Sequence, residues 1–137
     1  MSTRSMIGIE GEDGKIRAVY CHWDGYLEHN GRILLNNYVD RDKIEELVNL
    51  GSLSFLSEEI GEKHKFETAV DEHRNWCCAY HRDRGDDLDI SEYNDQKDYI
   101  RIKDWTEFWY LFTKDGEWLY SIGDEFKPLT MEACDND

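Results

Sequence analysis

The fold of this chain is decided around one stretch, residues 19–31. It reads Val19-Tyr20-Cys21-His22-Trp23-Asp24-Gly25-Tyr26-Leu27-Glu28-His29-Asn30-Gly31. The first residues suit a β-strand, and the Trp-Asp-Gly sequence that follows is a turn signal. We therefore expect a corner at which a strand ends and a helix begins, with Asp24 as the cap and with Trp23 and Tyr26 as packing residues.

The residues before this corner predict a β-hairpin over residues 5–23. Apolar residues alternate with others on both sides of the turn Glu12-Asp13-Gly14-Lys15, and its Asp-Gly pair favours a tight connection. Ile7 and Ile9 mark the apolar face of the first strand. One face of the hairpin is apolar and the other is mixed, as in a half-buried sheet.

The residues after the corner predict two helices. The first covers residues 26–38, although Asn30-Gly31 interrupts its pattern. The second covers residues 41–50, because apolar residues recur there at helical spacing. Asp40 is its expected N-cap and Gly51 its left-handed C-cap.

The second half of the chain gives shorter signals. In order, we expect a short helix and a loop over residues 52–74, a strand at 75–82, a charged loop, a helix at 92–104, a hairpin of 107–113 with 117–122, and a frayed polar tail after Pro128. The whole pattern predicts a single α+β domain, residues 1–137, with a polar tail from about residue 130. Its expected architecture is an antiparallel sheet of about five strands with two or three helices packed on one face.

The net charge of the chain is −15, from 31 acidic and 16 basic residues. Such a protein repels nucleic acid and anionic membranes, so we expect no direct binding to either. A protein with a basic surface is the partner that this charge attracts. Aromatic residues make up 13% of the chain, a share that indicates a folded domain despite the high charge.

Four cysteines, Cys21, Cys77, Cys78 and Cys134, have no spacing that suggests a disulfide framework. The first residues contain no apolar run typical of a signal peptide, and no stretch of about 18 apolar residues predicts a membrane span. We therefore expect a reduced, soluble, intracellular protein.

A metal site is one interpretation of the corner, because four of its side chains are competent ligands. These are Cys21, His22, Asp24 and His29. The first two are adjacent, so a strand would direct them to opposite faces, which also argues against a Cys–His catalytic pair. Further ligands could come only from a neighbouring strand, through Cys77, Cys78 and His81. We expect the corner to be structural, with no cofactor, and keep a metal-dependent hydrolase as an alternative.

Two arginines stand out in an acidic part of the chain. Arginine can grip a phosphate group while an aromatic ring stacks on a base, so this segment could form a nucleotide pocket. The candidate ligand-binding residues are Arg82, Arg84, His81, Trp76 and Trp23. The alternative is that both arginines pair with neighbouring aspartates.

The aspartates of the same segment suggest a protein-binding surface. They lack the spacing and the closing glutamate of a calcium loop, but rows of carboxylates can imitate the charge of DNA. With the exposed residues of the corner, the candidate protein-binding residues are His22, Tyr26, His29, Asp83, Asp86, Asp87 and Asp89.

Several segments together resemble an uncharacterised family of small bacteriophage and prophage proteins. The most specific is Cys-His-Trp-Asp-Gly-Tyr at residues 21–26, and the others include Tyr80-His81-Arg82-Asp83-Arg84-Gly85 and Asp115-Gly116-Glu117-Trp118. The resemblance implies a phage origin and action in the host cytoplasm, and it brings no catalytic residue with it.

These observations predict a non-catalytic phage protein that binds and inhibits a host factor through an acidic surface, for example as an anti-CRISPR or another anti-defence inhibitor. The expected partner is a host protein with a basic surface, such as a nucleic-acid-binding defence complex, and the protein could also form homo-oligomers. The alternatives are a sponge that sequesters a host immune signalling nucleotide, and the metal-dependent hydrolase.

Overall fold

Eight strands and five α-helices lie in the described parts of the chain, residues 3–66, 75–101 and 106–135 of a computed structural model. The strands are β1 (Arg4–Glu10), β2 (Ile16–Cys21), β3 (Leu53–Phe55), β4 (Cys78–Ala79), β5 (Ser91–Tyr93), β6 (Thr106–Phe112), β7 (Trp118–Ser121) and β8 (Lys127–Pro128). The helices are α1 (Arg32–Asn37), α2 (Arg41–Asn49), α3 (Tyr80–Arg84), α4 (Gln96–Arg101) and α5 (Met131–Asp135). A π-helical turn, Leu27–Gly31, directly precedes α1. None of the described helices has the length and apolar composition needed to cross a membrane.

The strands form one mixed sheet in the order β4-β3-β2-β1-β6-β7-β8, and β5 also pairs with β2. The two predicted hairpins are antiparallel, but β1 pairs with β6 and β2 pairs with β3 in parallel. The chain therefore combines helices with a single sheet, as predicted. The expectation of about five strands, all antiparallel, is wrong. Turn signals are local, whereas the parallel β1–β6 pairing joins the two ends of the chain and leaves no such signal.

Both faces of the sheet are covered, because successive strand residues point to opposite sides. The larger core lies on the face that receives α1 and α2, and it includes Ile7, Val19 and Tyr110. A smaller core on the other face packs around Tyr99 of α4, whose hydroxyl donates a hydrogen bond of 2.8 Å to the Tyr110 carbonyl oxygen. The prediction that all helices pack on one face is therefore wrong, because the second face also carries apolar residues that α4 shields from water.

The strongest local signals of the sequence are confirmed. The first hairpin pairs Ile7 with Val19, and the last hairpin pairs Phe112 with Trp118. Helix α2 begins after Asp40, whose carboxylate accepts from the backbone N–H of Asp42. It is followed at Gly51 by a φ of +81°, the left-handed geometry expected of the C-cap.

The predicted strand at residues 75–82 is only partly a strand, and its last three residues are helix. Only Cys78–Ala79 pairs in the sheet, as β4, and α3 begins at the next residue. The carboxylate of Asp83 accepts a hydrogen bond of 2.8 Å from the backbone N–H of Ala79, which satisfies a donor at the start of the helix. This capping contact favours a helical turn over continued strand.

Two further segments also differ from their predictions. The expected short helix near residue 53 is strand β3, and the helix predicted at 92–104 is strand β5 followed by α4. The carboxylate of Asp95 accepts from the backbone N–H of Asp98 at 2.8 Å and so caps α4 at a later start. Residues 102–105 of that prediction lie outside the described residues.

The segment after Pro128 is ordered instead of frayed. Helix α5 covers Met131–Asp135, and its Cys134 is fully buried. A Cβ atom on Gly31 would lie 3.4 Å from the Cys134 sulfur, so α5 packs directly on the π-helical turn. One buried apolar face is enough to hold a segment whose other residues are polar.

Candidate functional site

The corner after β2 is a tightly constrained backbone turn. The backbone N–H groups of His22 and Trp23 donate to Leu53 and Ser54 of β3, each at 3.0 Å. Asp24 then adopts a φ of +57°, a left-handed conformation that is uncommon for a residue with a side chain. The predicted corner is present, but the π-helical turn begins after Tyr26 with no side-chain cap, so Asp24 is not its cap.

Gly25 allows the corner to lie against the first strand. Its N–H donates to the Thr3 carbonyl oxygen at 2.8 Å, and a Cβ atom at this position would lie 2.7 Å from the Cβ of Ser5. Real side chains do not approach so closely. Position 25 therefore requires glycine because of this close backbone contact.

A buried polar cluster lies beneath the corner. The side-chain amide of Asn30 donates to the Ser5 hydroxyl at 3.2 Å and to the Cys21 sulfur at 3.4 Å. Burial raises the pKa of Cys21 to about 12, although the hydrogen bond from Asn30 opposes this shift. Its thiol is protonated at neutral pH, and a thiol is a poor nucleophile and a poor metal ligand.

The four candidate ligands of the corner do not converge. Cys21 faces the core, and the Nδ1 atom of His22 instead lies 2.7 Å from the Tyr20 hydroxyl on the opposite face. The Nδ1 atom of His29 lies 2.9 Å from the side-chain oxygen of Asn30. Strand alternation separates Cys21 from His22 as predicted, and the arrangement favours a structural corner.

A different set of ligand-type side chains comes together beside α3. Within the described residues, the ligand atoms of His64, Cys78 and Asp83 lie within 4.8 Å of one another. The His64 Nε2 atom is 3.5 Å from Asp83 Oδ2, and both side chains are almost completely buried. Reasoning from the sequence missed His64 because it lies 19 residues from Asp83, outside any short ligand spacing.

Arg82 supplies the positive charge of this cluster. Its Nε donates to Asp83 Oδ1 at 2.9 Å and its Nη2 to Oδ2 at 3.2 Å, while Ala79 and His64 donate backbone N–H groups to the same carboxylate. The guanidinium also binds the carbonyl oxygens of Ile60 and Cys77, each at 2.8 Å. The carboxylate has about four acceptor positions, and these four donors occupy them. The cluster therefore functions as a structural clamp between α3 and the preceding loop.

Within the described part of the chain, the five candidate ligand-binding residues make separate sets of contacts. Arg82 is held by the clamp, and Trp23 packs edge-on against His22 with ring centroids 4.8 Å apart. Trp76 lies next to His64, at a centroid distance of 6.0 Å. His81 and Arg84 both contact Asp86.

Arg84 is also engaged within the chain. Its guanidinium lies over the rings of Phe66 and Tyr80, at 4.6 and 4.8 Å from their centroids. It donates to Asp86 at 2.7 and 3.1 Å, and this hydrogen bonding lowers the pKa of Asp86 below its ordinary value. The Nδ1 atom of His81 lies 2.7 Å from the Asp86 carbonyl oxygen. The pairing of Arg84 with a neighbouring aspartate agrees with the alternative drawn from the sequence.

The acidic candidates divide into a buried one and an exposed row. Asp83 is buried in the clamp, whereas Asp87 and Asp89 are exposed on the loop that leads to β5.

Residues 85–98 carry six acids and one lysine along this side of the sheet. The acids form what we call the acidic edge: Asp86, Asp87, Asp89, Glu92, Asp95 and Asp98. A cavity shared by Asp13 and Asp95 joins the edge to the turn of the first hairpin.

Comparisons with known proteins found no match to any protein-family model, to any curated protein or to any solved structure.

Proposed function

We propose that this protein is a non-catalytic binding protein that inhibits a host factor through the acidic edge. The observation that carries the proposal is the placement of six acids and one lysine on β5, on the loops that flank it and on the first turn of α4. A row of carboxylates along one side of a folded domain presents repeated negative charge, as a nucleic acid does. The partner we propose is a host protein with a basic surface, such as a nucleic-acid-binding defence complex in the host cytoplasm.

The non-catalytic part of the proposal is supported by the contacts of the reactive groups. The thiol of Cys21 is buried with a raised pKa, and burial also raises the pKa of Cys77, whose sulfur contacts the Tyr38 hydroxyl at 3.3 Å. The carboxylate of Asp83 is committed to the clamp. These contacts favour a structural role over the proposed hydrolase.

The nucleotide alternative has less support than the acidic edge. Arg82 and Arg84, its two expected phosphate ligands, are both paired with carboxylates. The cavity next to Arg84 is lined by Asp86, Asp87 and Asp89, which would repel a phosphate group.

The test uses partner capture from host cells with two matched variants. The edge variant combines Asp87→Asn, Asp89→Asn, Glu92→Gln and Asp95→Asn. The control variant removes equal charge from exposed positions elsewhere, through Asp115→Asn, Glu117→Gln, Asp124→Asn and Glu132→Gln. We expect the wild type and the control to retain the same basic host protein and the edge variant to lose it.

The dependence of binding on salt gives a second measure. Because screening shortens the range of charge interactions, affinity for the captured partner should fall about tenfold or more between about 0.1 and 1 M salt. A partner that the edge variant retains, or that binds independently of salt, would contradict the proposal. A rise in melting temperature with cyclic or linear nucleotides would support the sponge instead.

A further inference from the structure

Strand β5, Ser91–Tyr93, is an edge strand among the described parts of the chain. It pairs with β2 in antiparallel register, and no other described strand pairs with it. An edge strand directs main-chain N–H and C=O groups away from its sheet, where a further strand can pair with them. β5 also contributes Glu92 to the acidic edge.

The register of the first hairpin shows which way the main chain of Glu92 faces. The Gly11 N–H donates to the Lys15 carbonyl oxygen at 2.9 Å, so these two residues are hydrogen-bonded across the hairpin. Hydrogen-bonded and non-hydrogen-bonded pairs alternate along an antiparallel ladder, so the main chain of Arg17 faces β1 and its two neighbours face β5. Glu92 lies opposite Arg17, and its N–H and C=O groups therefore point away from β2.

Glu92 is exposed, and the residue opposite does not neutralise its charge. Arg17 directs its guanidinium group to Glu45 and Asn49 of α2 instead. The carboxylate of Glu92 therefore has no ion pair among the described residues. An exposed main-chain donor and acceptor thus occur on the same residue as an unneutralised negative charge.

Carboxylates also flank β5 at both ends. Asp89 precedes the strand and Asp95 follows it, and both are exposed. A cavity of about 570 Å³ lies at the second end, and its charged lining residues are three acids, Glu10, Asp13 and Asp95, and one lysine, Lys97. A strand added along β5 would therefore have negative charge beside it over its whole length.

We infer that β5 receives an extended basic segment of the partner as an added strand, paired through the main chain of Glu92. This inference rests on the proposed function and names the way in which the acidic edge holds its partner. When a peptide adds to an edge strand, main-chain hydrogen bonds supply affinity and side chains supply specificity. Here the specificity comes from lysine or arginine side chains of the added strand, which meet the carboxylates around β5.

A basic partner fits this edge strand better than a second copy of the chain does. Pairing β5 with its own copy would bring two acidic edges together, and each chain carries a net charge of −15. Like charges placed opposite each other destabilise a strand pairing. Charged residues on an edge strand also protect it from such self-association. The negative charge therefore selects a positively charged strand.

The test separates the main-chain contact from the charge of Glu92. Glu92→Gln removes the charge and keeps the N–H group. Glu92→Pro removes both, and it leaves the pairing with β2 in place because this N–H group points away from β2. The probe is a synthetic peptide in which lysine alternates with threonine, and calorimetry measures its affinity. We expect Glu92→Pro to bind the peptide about tenfold more weakly than Glu92→Gln does, because main-chain hydrogen bonds are lost.

Hydrogen exchange gives a second measure, which needs no variant. The Glu92 N–H should exchange rapidly in the free protein and become protected when the peptide binds. The N–H groups of Ser91 and Tyr93 face β2, so the peptide should change their exchange much less.

Three results would overturn the added strand: no binding of the peptide to the wild type, equal affinity of the two Glu92 variants, or a Glu92 N–H that exchanges equally fast with and without peptide. A wild-type dimer that Glu92→Pro dissociates would overturn it in favour of a second copy. The proposed function fails on a different result, because it is contradicted when the edge variant retains the captured host protein.

Discussion

The hydroxyl of Tyr110 donates a hydrogen bond of 2.6 Å to the carbonyl oxygen of Gly25. The two residues are 85 positions apart, and Tyr110 is fully buried in β6. The contact links the last hairpin to the corner that ends the first one. It holds the backbone two residues after Trp23, where the corner turns.

Removing this hydroxyl should destabilise the protein without changing its fold. Tyr110→Phe leaves the Gly25 carbonyl oxygen buried without its donor, so we expect the free energy of unfolding to fall by about 1–2 kcal/mol. Urea denaturation followed by fluorescence measures this change. Tyr120→Phe, in the half-buried partner position on β7, is the control and should cost less. Equal losses in the two variants would contradict the role of the bond.

The clamp that Arg82 and Asp83 form between α3 and the preceding loop should contribute strongly to the stability of the fold. Asp83→Ala leaves the guanidinium of Arg82 partly buried and unpaired, which typically costs about 3–5 kcal/mol. Thermal and urea denaturation should show this loss. The exposed pair of Arg84 and Asp86 gives the control, because Asp86→Ala should change stability only slightly. An Asp83→Ala protein that is as stable as the wild type would show that the clamp is dispensable.

The buried thiol of Cys21 predicts a loss of stability in alkali. Its pKa rises from an ordinary value of 9.0 to about 12 on folding, so above pH 9 the unfolded chain releases a proton that the folded chain keeps. The contribution is complete below pH 9 and is lost as pH rises towards 12, at about 1.4 kcal/mol per pH unit.

Denaturation at a series of pH values tests this expectation. Cys21→Ala should be less stable than the wild type at neutral pH because of the cavity it creates, but its stability should fall less steeply above pH 9. Parallel curves for the two proteins across that range would exclude the thiol as the source.

Gly25 should not tolerate a side chain. In Gly25→Ala the new methyl group would meet the Ser5 side chain at 2.7 Å and the Thr3 carbonyl oxygen at 2.8 Å, so we expect a cost of about 1–3 kcal/mol. The melting temperature reports this cost. Gly11→Ala is the control, because its nearest neighbour is the flexible carboxylate of Asp13 at 3.2 Å. Similar melting temperatures for the two variants would contradict the close approach.

Elements with strong local signals could be predicted from the sequence. Both hairpins and α2 have the residue periodicity and caps that determine such elements by themselves, and the structure confirms them. The segment around residue 80 could not be predicted in the same way. Its alternating residues suit a strand, but the capping contact of Asp83 with Ala79 selects a helix.

The candidate sites show the same division. Adjacent strand residues must diverge, so the sequence was sufficient to argue that Cys21 and His22 do not act together. The meeting of His64 with Asp83 depends on how separate segments pack, and their spacing does not reveal it.

The sequence by itself determined the hairpins, the helix α2, the corner after β2 and the strong negative charge, because each depends on neighbouring residues or on composition. Tertiary structure decided the parallel pairing of β1 with β6, the second core under Tyr99, and the burial of Asp83 away from the acidic edge. These features come from contacts between distant segments, whose free energy depends on the packing of the whole chain and not on local propensity.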